Sequence, residues 1–287
     1  MIKNEINTNS LINTESLSDK EFYLLSKFIE DNTGIKMPFS KKIMLQTRLF
    51  KRLKALNINN FETYIKYLFS QEGQTNEIVH FFDIISTNKT DFFREPQHFK
   101  YLEQHIQKLL LNKNDIFFKI WSAGCSSGEE PYSIAITLNE LITNEKTFNY
   151  TIVATDISLR MLNIAKKGIY SYEKVKHLPP EILKKYFLKG INKEEGNVRI
   201  KPELQFKITF KYHNLLQEVN EIKFPTYDFI FCRNVLIYFN KENQFKVLCK
   251  LCNNLKKGGI LFIGHSESIF GFPLPLKNIK PSIYLKI

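Results

Sequence analysis

Trp121-Ser-Ala-Gly-Cys-Ser-Ser-Gly-Glu-Glu-Pro-Tyr-Ser133 joins two segments of different periodicity. Before it lies Ile116-Phe-Phe-Lys-Ile120, an apolar run that reads as a buried strand. After it, Ile134-Ala-Ile-Thr-Leu-Asn-Glu-Leu-Ile142 reads as an amphipathic helix. A strand, a turn of small residues and a helix N-terminus make the corner at which open α/β sheets hold nucleotides. Gly124, Ser126, Ser127 and Gly128 keep side chains out of the way, so a ligand can lie against backbone N–H groups. The run is not a Walker loop, because no Gly-Lys-Ser/Thr follows, and its spacing fails G-x-G-x-x-G. Taken alone it fits an ordinary tight strand-to-helix connection equally well.

Working outward, strands and helices alternate from Ile116 onward, which indicates a doubly wound α/β sheet. Strands are expected at 116–123, 150–156, 207–213, 227–232, 259–264 and 281–287, with helices at 131–142, 158–167 and 241–256. An extra piece, about 170–204, carries the polar turn Asn192-Lys-Glu-Glu-Gly196 and the alternating Asn197-Val-Arg-Ile-Lys201, which predicts an inserted β-hairpin extending from the sheet. Upstream, residues 1–17 are rich in Asn, Ser and Thr and are expected to be disordered. Residues 18–86 read as a small all-helical domain. Ser18-Asp-Lys-Glu21 forms a capping box for a first helix that Gly34 ends. Ser40 is placed to cap a second helix to Leu56, with Ile43, Phe50, Leu53 and Leu56 turned inward. Further helices fit 60–70 and 75–86, a linker follows at 87–100, and Pro96 starts a helix over 97–111.

At 287 residues, 43% of them hydrophobic, the chain can bury a full core, and no apolar run approaches the roughly 20 residues of a membrane span. The polar N-terminus lacks the apolar stretch of a signal peptide, so a cytoplasmic protein is expected. Cys125, Cys232, Cys249 and Cys252 are too scattered for a disulfide framework. Cys249-Lys-Leu-Cys252 lies in a helical pattern without a second ligand pair, and the six histidines show no ligand spacing, so no metal site is expected. The net charge of +12 favours an acidic partner. Its distribution is local: from Asn32 to Phe61 there is no acid, while Lys36, Lys41, Lys42, Arg48, Lys51, Arg52 and Lys54 are all basic.

Two downstream segments carry the remaining chemistry. Tyr150-Thr-Ile-Val-Ala-Thr-Asp156 delivers Asp156 where ribose hydroxyls lie in such sheets, although a helix N-cap is the alternative for this carboxylate. Tyr227-Asp-Phe-Ile-Phe-Cys-Arg-Asn-Val-Leu-Ile-Tyr-Phe239 delivers Arg233 and Asn234 to a strand's carboxyl end. Tyr238 either points its hydroxyl into the same cleft or packs in the core.

With Asn88-Lys-Thr-Asp-Phe-Phe-Arg94, Ala154-Thr-Asp-Ile-Ser158, Asn214-Leu215 and Gly258-Gly-Ile-Leu-Phe-Ile-Gly-His-Ser-Glu267, these segments resemble the CheR family of chemotaxis receptor methyltransferases. The resemblance covers nearly everything after residue 17. It implies a Rossmann-like class I methyltransferase sheet with a helical N-terminal domain and a β-subdomain. It also implies methyl transfer from S-adenosylmethionine to receptor glutamates, leaving S-adenosylhomocysteine. The family's cofactor contacts fall on Asn88, Thr90, Arg94, Glu130, Asp156, Asn214, Leu215, Arg233 and Asn234, with Asp156 at the ribose, Asn214 and Leu215 at the adenine and Glu130 near the methionyl cation. For Glu129 and Glu130 the plainer reading is acids suited to a helix N-terminus. Arg94 and Tyr238 are the implied catalytic residues, orienting the acceptor carboxylate and the methyl group. Arg48, Lys51, Arg52 and Lys54 are placed to meet a glutamate-rich receptor helix, or else form a solvated face. The hairpin near 186–201, with Gly196-Asn-Val-Arg199, is compatible with binding a receptor's C-terminal pentapeptide.

His265-Ser-Glu267 does not make a hydrolase triad, because adjacent residues at one strand end cannot converge on a nucleophile, so a structural hydrogen-bonding role is expected. A nucleic-acid methyltransferase is disfavoured by the missing Pro-Pro-Tyr and Pro-Cys elements and by a basic segment without interleaved aromatics. A degenerate binding module is disfavoured by the intact motif residues. The partners expected are thus receptor helices rather than nucleic acid or membrane, engaged by a monomer.

Overall fold

The computed structural model describes residues 16–111, 116–143, 147–217 and 226–287. The disorder expected for residues 1–17 falls outside the described residues over 1–15, while Leu17 is fully buried and its N–H donates to Gln46 Oε1 (3.0 Å), which corrects the boundary. The chain divides into two compact units, 1–86 and 87–287.

In the first unit, α1 (Asp19–Thr33) opens with the capping box expected there. Ser18 Oγ accepts from the Glu21 N–H, and Glu21 accepts in return from the Ser18 N–H. Gly34, at φ 71°, closes it in a left-handed cap. Then come α2 (Lys42–Leu56), α3 (Phe61–Phe69), α4 (Gln71–Asn76) and α5 (Ile78–Ile85). Three expectations are corrected by this unit. The helix expected at 75–86 is two helices that meet at Glu77. In α2 the buried side chains are Leu45, Leu49 and Leu53, while Ile43 is 77% exposed. Ser40 does not cap it, because a 3-10 turn over Phe39–Lys41 leads in and sets the helix phase. The inward stripe is the i, i+4, i+8 row of leucines.

The second unit contains α6 (Gln97–Leu110), β1 (Ile116–Ala123), α7 (Glu129–Leu141), β2 (Phe148–Asp156), α8 (Leu159–Lys167), β3 (Ile169–Ser171), α9 (Pro180–Tyr186), β4 (Phe187–Lys189), β5 (Asn197–Ile200), α10 (Pro202–Gln205), β6 (Ile208–Tyr212), β7 (Tyr227–Cys232), α11 (Lys241–Asn254), β8 (Leu255–Ile263), β9 (Leu276–Lys280) and β10 (Ile283–Lys286). Seven strands form the main sheet in the order β6-β2-β1-β7-β8-β10-β9. The first five run parallel, while β10 is antiparallel to both β8 and β9. Six strands were legible in the sequence. The seventh, β9, has the burial pattern of an outer strand with two prolines just before it, and so carries no alternating signal.

The central strands are buried on both faces, and alternate residues enter two cores. Ile120, Phe229, Phe231, Ile260 and Phe262 join α6 and α7 on one side. Trp121, Ala123, Ile230, Cys232, Leu261 and Ile263 join Val247, Leu248 and Leu251 of α11 on the other. This two-residue alternation with both sets apolar is why these strands read as continuous hydrophobic runs. Phe231 and Phe262 stack across the sheet at 4.2 Å between ring centroids.

The insertion is a separate three-stranded antiparallel sheet in the order β3-β5-β4. The expected hairpin is β4–β5, and β3 pairs along its other side. A three-residue strand has no periodicity to read, so β3 appears only once β5 offers it an edge.

Candidate active site

Chain order in the sheet reverses between β1 and β7, and open α/β sheets bind ligands at the carboxyl ends of strands beside such a reversal. Three segments meet there: the turn after β1, Asp156 at the end of β2, and residues 233–238 after β7. The Gly124 and Cys125 N–H groups donate to Thr155 O, which ties the first two together. Gly124 has φ 88°, and a Cβ there would lie 2.4 Å from Val235 Cγ2, so the close approach of turn to turn requires glycine.

Asp156 is 8% exposed, and its carboxylate accepts from the Ser126 N–H (2.8 Å) and the Ser158 N–H (2.8 Å). The cap of α8 is Ser158, whose hydroxyl accepts from the Met161 N–H. The N-cap alternative for Asp156 is thereby answered. A carboxylate accepts through either oxygen, which suits Asp156, at the end of β2, to a vicinal diol.

Arg233 is the hub of the cleft, with 2% of its side chain exposed. It donates to Glu130 Oε2 (3.1 Å), to Glu95 Oε2 (3.0 Å) and to Arg94 O, and its guanidinium lies 5.6 Å from the Phe99 ring centre. Burial raises the Glu130 carboxyl above its ordinary value, against the pull of Arg233 and of Ser122 Oγ, which donates at 2.6 Å. Burial also pushes up the Glu95 carboxyl, but Arg233 and the His265 N–H bring it below its ordinary value. Arg233 Nε is buried without a hydrogen-bond partner among the described residues. A buried cation with an unused donor, flanked by carboxylates, matches the chemistry of a zwitterionic ligand such as a methionyl group.

The backbone here is unusual. Phe93, Glu95, Ser126 and Asn234 all adopt left-handed φ, at 53°, 57°, 48° and 59°. Such conformations cost of order 1–3 kcal/mol each and concentrate at ligand sites. The segment 88–96 is pinned where it crosses the cleft: Ser126 Oγ donates to Asn88 O and the Phe93 N–H donates to Ser133 Oγ. Arg94 is half-buried and its guanidinium donates to Lys89 O at 3.1 Å. Thr90 is half-buried on the same segment. Asn214 is 3% and Leu215 9% exposed, just beyond β6. Tyr238 is half-buried in a 3-10 turn over Leu236–Tyr238 and belongs to neither core.

Three features of the site were not legible in the sequence. Glu95, next to Arg94, is a carboxylate partner of Arg233. Glu129 is fully buried and pairs with Lys174 of the insertion and with Ser127 Oγ. Glu267, by contrast, accepts backbone N–H bonds, the structural hydrogen-bonding role expected for His265-Ser-Glu267. Glu95, His98 and His265 also bring three donor atoms within 4.8 Å of one another, which spacing could not reveal because they come from two distant segments. Arg233 already holds Glu95, and a dication there would face a buried guanidinium, which disfavours a metal ion at this cluster. His98 is fully buried, which lowers it to about pKa 3 with help from Arg233 and leaves it neutral.

In the first unit, two of the four residues expected to dock a partner are engaged inside the unit itself. Arg48 donates to Ile84 O, Ile85 O and Ser86 O at the end of α5. Arg52 grips Glu77, which is 1% exposed, through two bonds of 2.8 and 2.5 Å. Lys51 and Lys54 remain exposed. The basic face of α2 is thus narrower than its sequence implies.

The chain matches "CheR methyltransferase, SAM binding domain" over residues 88–285 and "CheR methyltransferase, all-alpha domain" over residues 20–86. It is 38% identical to a chemotaxis protein methyltransferase of Borreliella burgdorferi, covering 99% of this chain and 98% of that one. Chemotaxis protein methyltransferases of Klebsiella aerogenes (38%, 88% and 84% covered) and Escherichia coli K12 (37%, 88% and 86% covered) are similar as well. With both parts of the chain matched and identity above a third over nearly its whole length, the chain belongs to the CheR methyltransferase family.

Proposed function

We propose that this protein methylates glutamate side chains of chemoreceptors, with S-adenosylmethionine as donor and S-adenosylhomocysteine as product. The observation that carries the reading is the convergence of Asp156, Glu130 and Arg233 with the Arg94 segment at the carboxyl ends of β1, β2 and β7. When bound, S-adenosylmethionine supplies an activated sulfonium methyl group. Asp156 takes the ribose hydroxyls, Asn214 and Leu215 flank the adenine, and Glu130 and Arg233 offer opposite charges to the methionyl ammonium and carboxylate. Asn88, Thr90 and Asn234 complete the walls.

The acceptor glutamate, with a reference pKa near 4.3, is already ionised at neutral pH, so the reaction needs no general base. What the chain must do is hold the carboxylate in line and offset its desolvation, which costs several kcal/mol for an unpaired ion. Arg94 does this through its planar guanidinium, released from Lys89 O, and Tyr238 orients the acceptor through its hydroxyl. Neither role uses a metal ion. Among the described residues no helix is long and apolar enough to cross a membrane. Lys51 and Lys54 meet acidic receptor helices. A receptor's C-terminal peptide, if it tethers by strand addition, adds to β3 or β4, because both sides of β5 are already paired. The protein works as a cytoplasmic monomer.

The test is methyl transfer from tritiated S-adenosylmethionine to receptor-bearing membranes, followed by brief alkaline treatment. Label released as methanol identifies carboxyl methyl esters. Label that survives base would mean N-methylation and overturn the reading.

A further inference from the structure

Glu267 lies beyond β8, outside the set of residues assigned to cofactor or acceptor. It is 8% exposed, and its carboxylate is surrounded by main-chain donors. Oε1 accepts from the Leu236 N–H (2.7 Å) and the Ile237 N–H (3.3 Å). Oε2 accepts from the Asn234 N–H (2.9 Å) and the Gly264 N–H (2.5 Å). Three of these four donors belong to the turn that carries Asn234 and Tyr238. The turn is a single 3-10 turn, with the Tyr238 N–H on Val235 O (3.2 Å) and the Phe239 N–H on Leu236 O (3.1 Å), and Asn234 sits at φ 59°. On the opposite side, Gln244 Nε2 of α11 donates to Leu236 O (2.9 Å) and Phe239 O (3.1 Å). One side chain therefore takes the turn's N–H groups and another takes its carbonyls. Gly264 makes the arrangement possible, since a Cβ there would lie 2.6 Å from Asn234 Nδ2, 2.8 Å from Asn234 N and 2.9 Å from Glu267 Oε2.

We infer that Glu267, seconded by Gln244, is a positioning residue for methyl transfer: its carboxylate fixes the backbone of the 234–238 turn and so aims Tyr238 and Asn234. The inference rests on the proposed active-site roles of those two residues. A carboxylate suits the task because it accepts from every direction and donates nothing, whereas a glutamine would turn an NH2 group toward N–H donors. Glu267→Gln keeps the volume and loses acceptors on one side. A misplacement of about 1 Å at a reacting group costs on the order of 100-fold in rate, so partial loosening is expected to lower kcat by about 10- to 100-fold. KM for the receptor acceptor should stay within about threefold, because the docking surface is untouched.

The experiment measures kcat, KM and thermal midpoint for E267Q, Gln244→Leu, Tyr238→Phe and the E267Q/Y238F double variant in the full chain. The expected result is a kcat loss in E267Q and a smaller one in Q244L at unchanged KM. The loss in E267Q/Y238F should fall well short of the product of the two single losses, because both act in part through the same hydroxyl. E267Q at wild-type kcat overturns the inference. So does an E267Q/Y238F loss equal to the product of the two single losses, which a general weakening of the fold would give. If E267Q does not fold, Q244L decides: its kcat loss at unchanged midpoint supports the inference, and an unaltered kcat overturns it. Y238F at wild-type activity would remove Tyr238 from the active site, and the kcat of E267Q and Q244L would still report on the turn through Asn234.

Discussion

Replacing Arg233 by Met tests whether the cleft is an electrostatic assembly built before any ligand arrives. The wild-type guanidinium, 2% exposed, answers Glu130 at 3.1 Å and Glu95 at 3.0 Å and also takes Arg94 O. Methionine fills much of the same space but leaves two carboxylates without their cation. Removing one partner of a buried pair typically costs about 3–5 kcal/mol. Glu130 keeps Ser122 Oγ and Glu95 keeps the His265 N–H, which places the expected loss near the lower figure. For a unit of this size about 3 kcal/mol corresponds to a fall in melting temperature of roughly 6–12 °C. The pH dependence has a definite sign. Burial pushes both carboxyls up, and Arg233 opposes it in both. Without Arg233 both sit above the unfolded value near 4.3, so folding takes up protons. The stability deficit of R233M is then full at pH 7.5 and shrinks as pH falls towards 5. Scanning calorimetry of the ligand-free protein at pH 5.5 and 7.5 checks this, with E130Q/R233M expected to recover part of the loss. A midpoint within about 3 °C of wild type at pH 7.5, or a gap that does not change with pH, would refute the reasoning.

Three further outcomes follow from the geometry. Asp156→Asn should weaken S-adenosylhomocysteine binding about 10- to 100-fold in titration calorimetry, the worth of hydrogen bonds to a charged group; unchanged affinity would take Asp156 out of the ribose site. Arg52→Met leaves buried Glu77 with the Tyr64 hydroxyl but no cation and should cost the helical unit about 3 kcal/mol, seen as early proteolysis within residues 16–86, whereas Lys51→Met should change stability by no more than about 0.5 kcal/mol. Lys51→Glu with Lys54→Glu should lower kcat/KM for receptor about tenfold at low salt with cofactor affinity unaltered, and the difference should close near 0.5 M salt. Equal losses at both salt concentrations would argue against electrostatic docking.

What the sequence determined by itself is local or repetitive. The apolar alternation of β1, β7 and β8 specified a sheet buried on both faces, because side chains of a strand point to opposite sides whatever surrounds them. Ser18 with Glu21, and Gly34, specified where α1 begins and ends, because caps are satisfied within a few residues. The small-residue turn, Asp156 and the Arg233-Asn234 pair were legible at strand ends, where open α/β sheets bind ligands. Tertiary structure decided everything that depends on a distant partner. Arg233 meets Arg94 from 139 residues away and Glu130 from 103, and nothing in either local pattern names the other. Arg48 and Arg52 look like surface charges on a basic helix until α5 and Glu77 are folded against them. Glu267 reads as one acid in a strand-end motif, yet its carboxylate holds the backbone of a turn more than 30 residues earlier. A charged side chain carries the same local signal whether it ends in water or against a buried partner, and only the folded chain distinguishes the two.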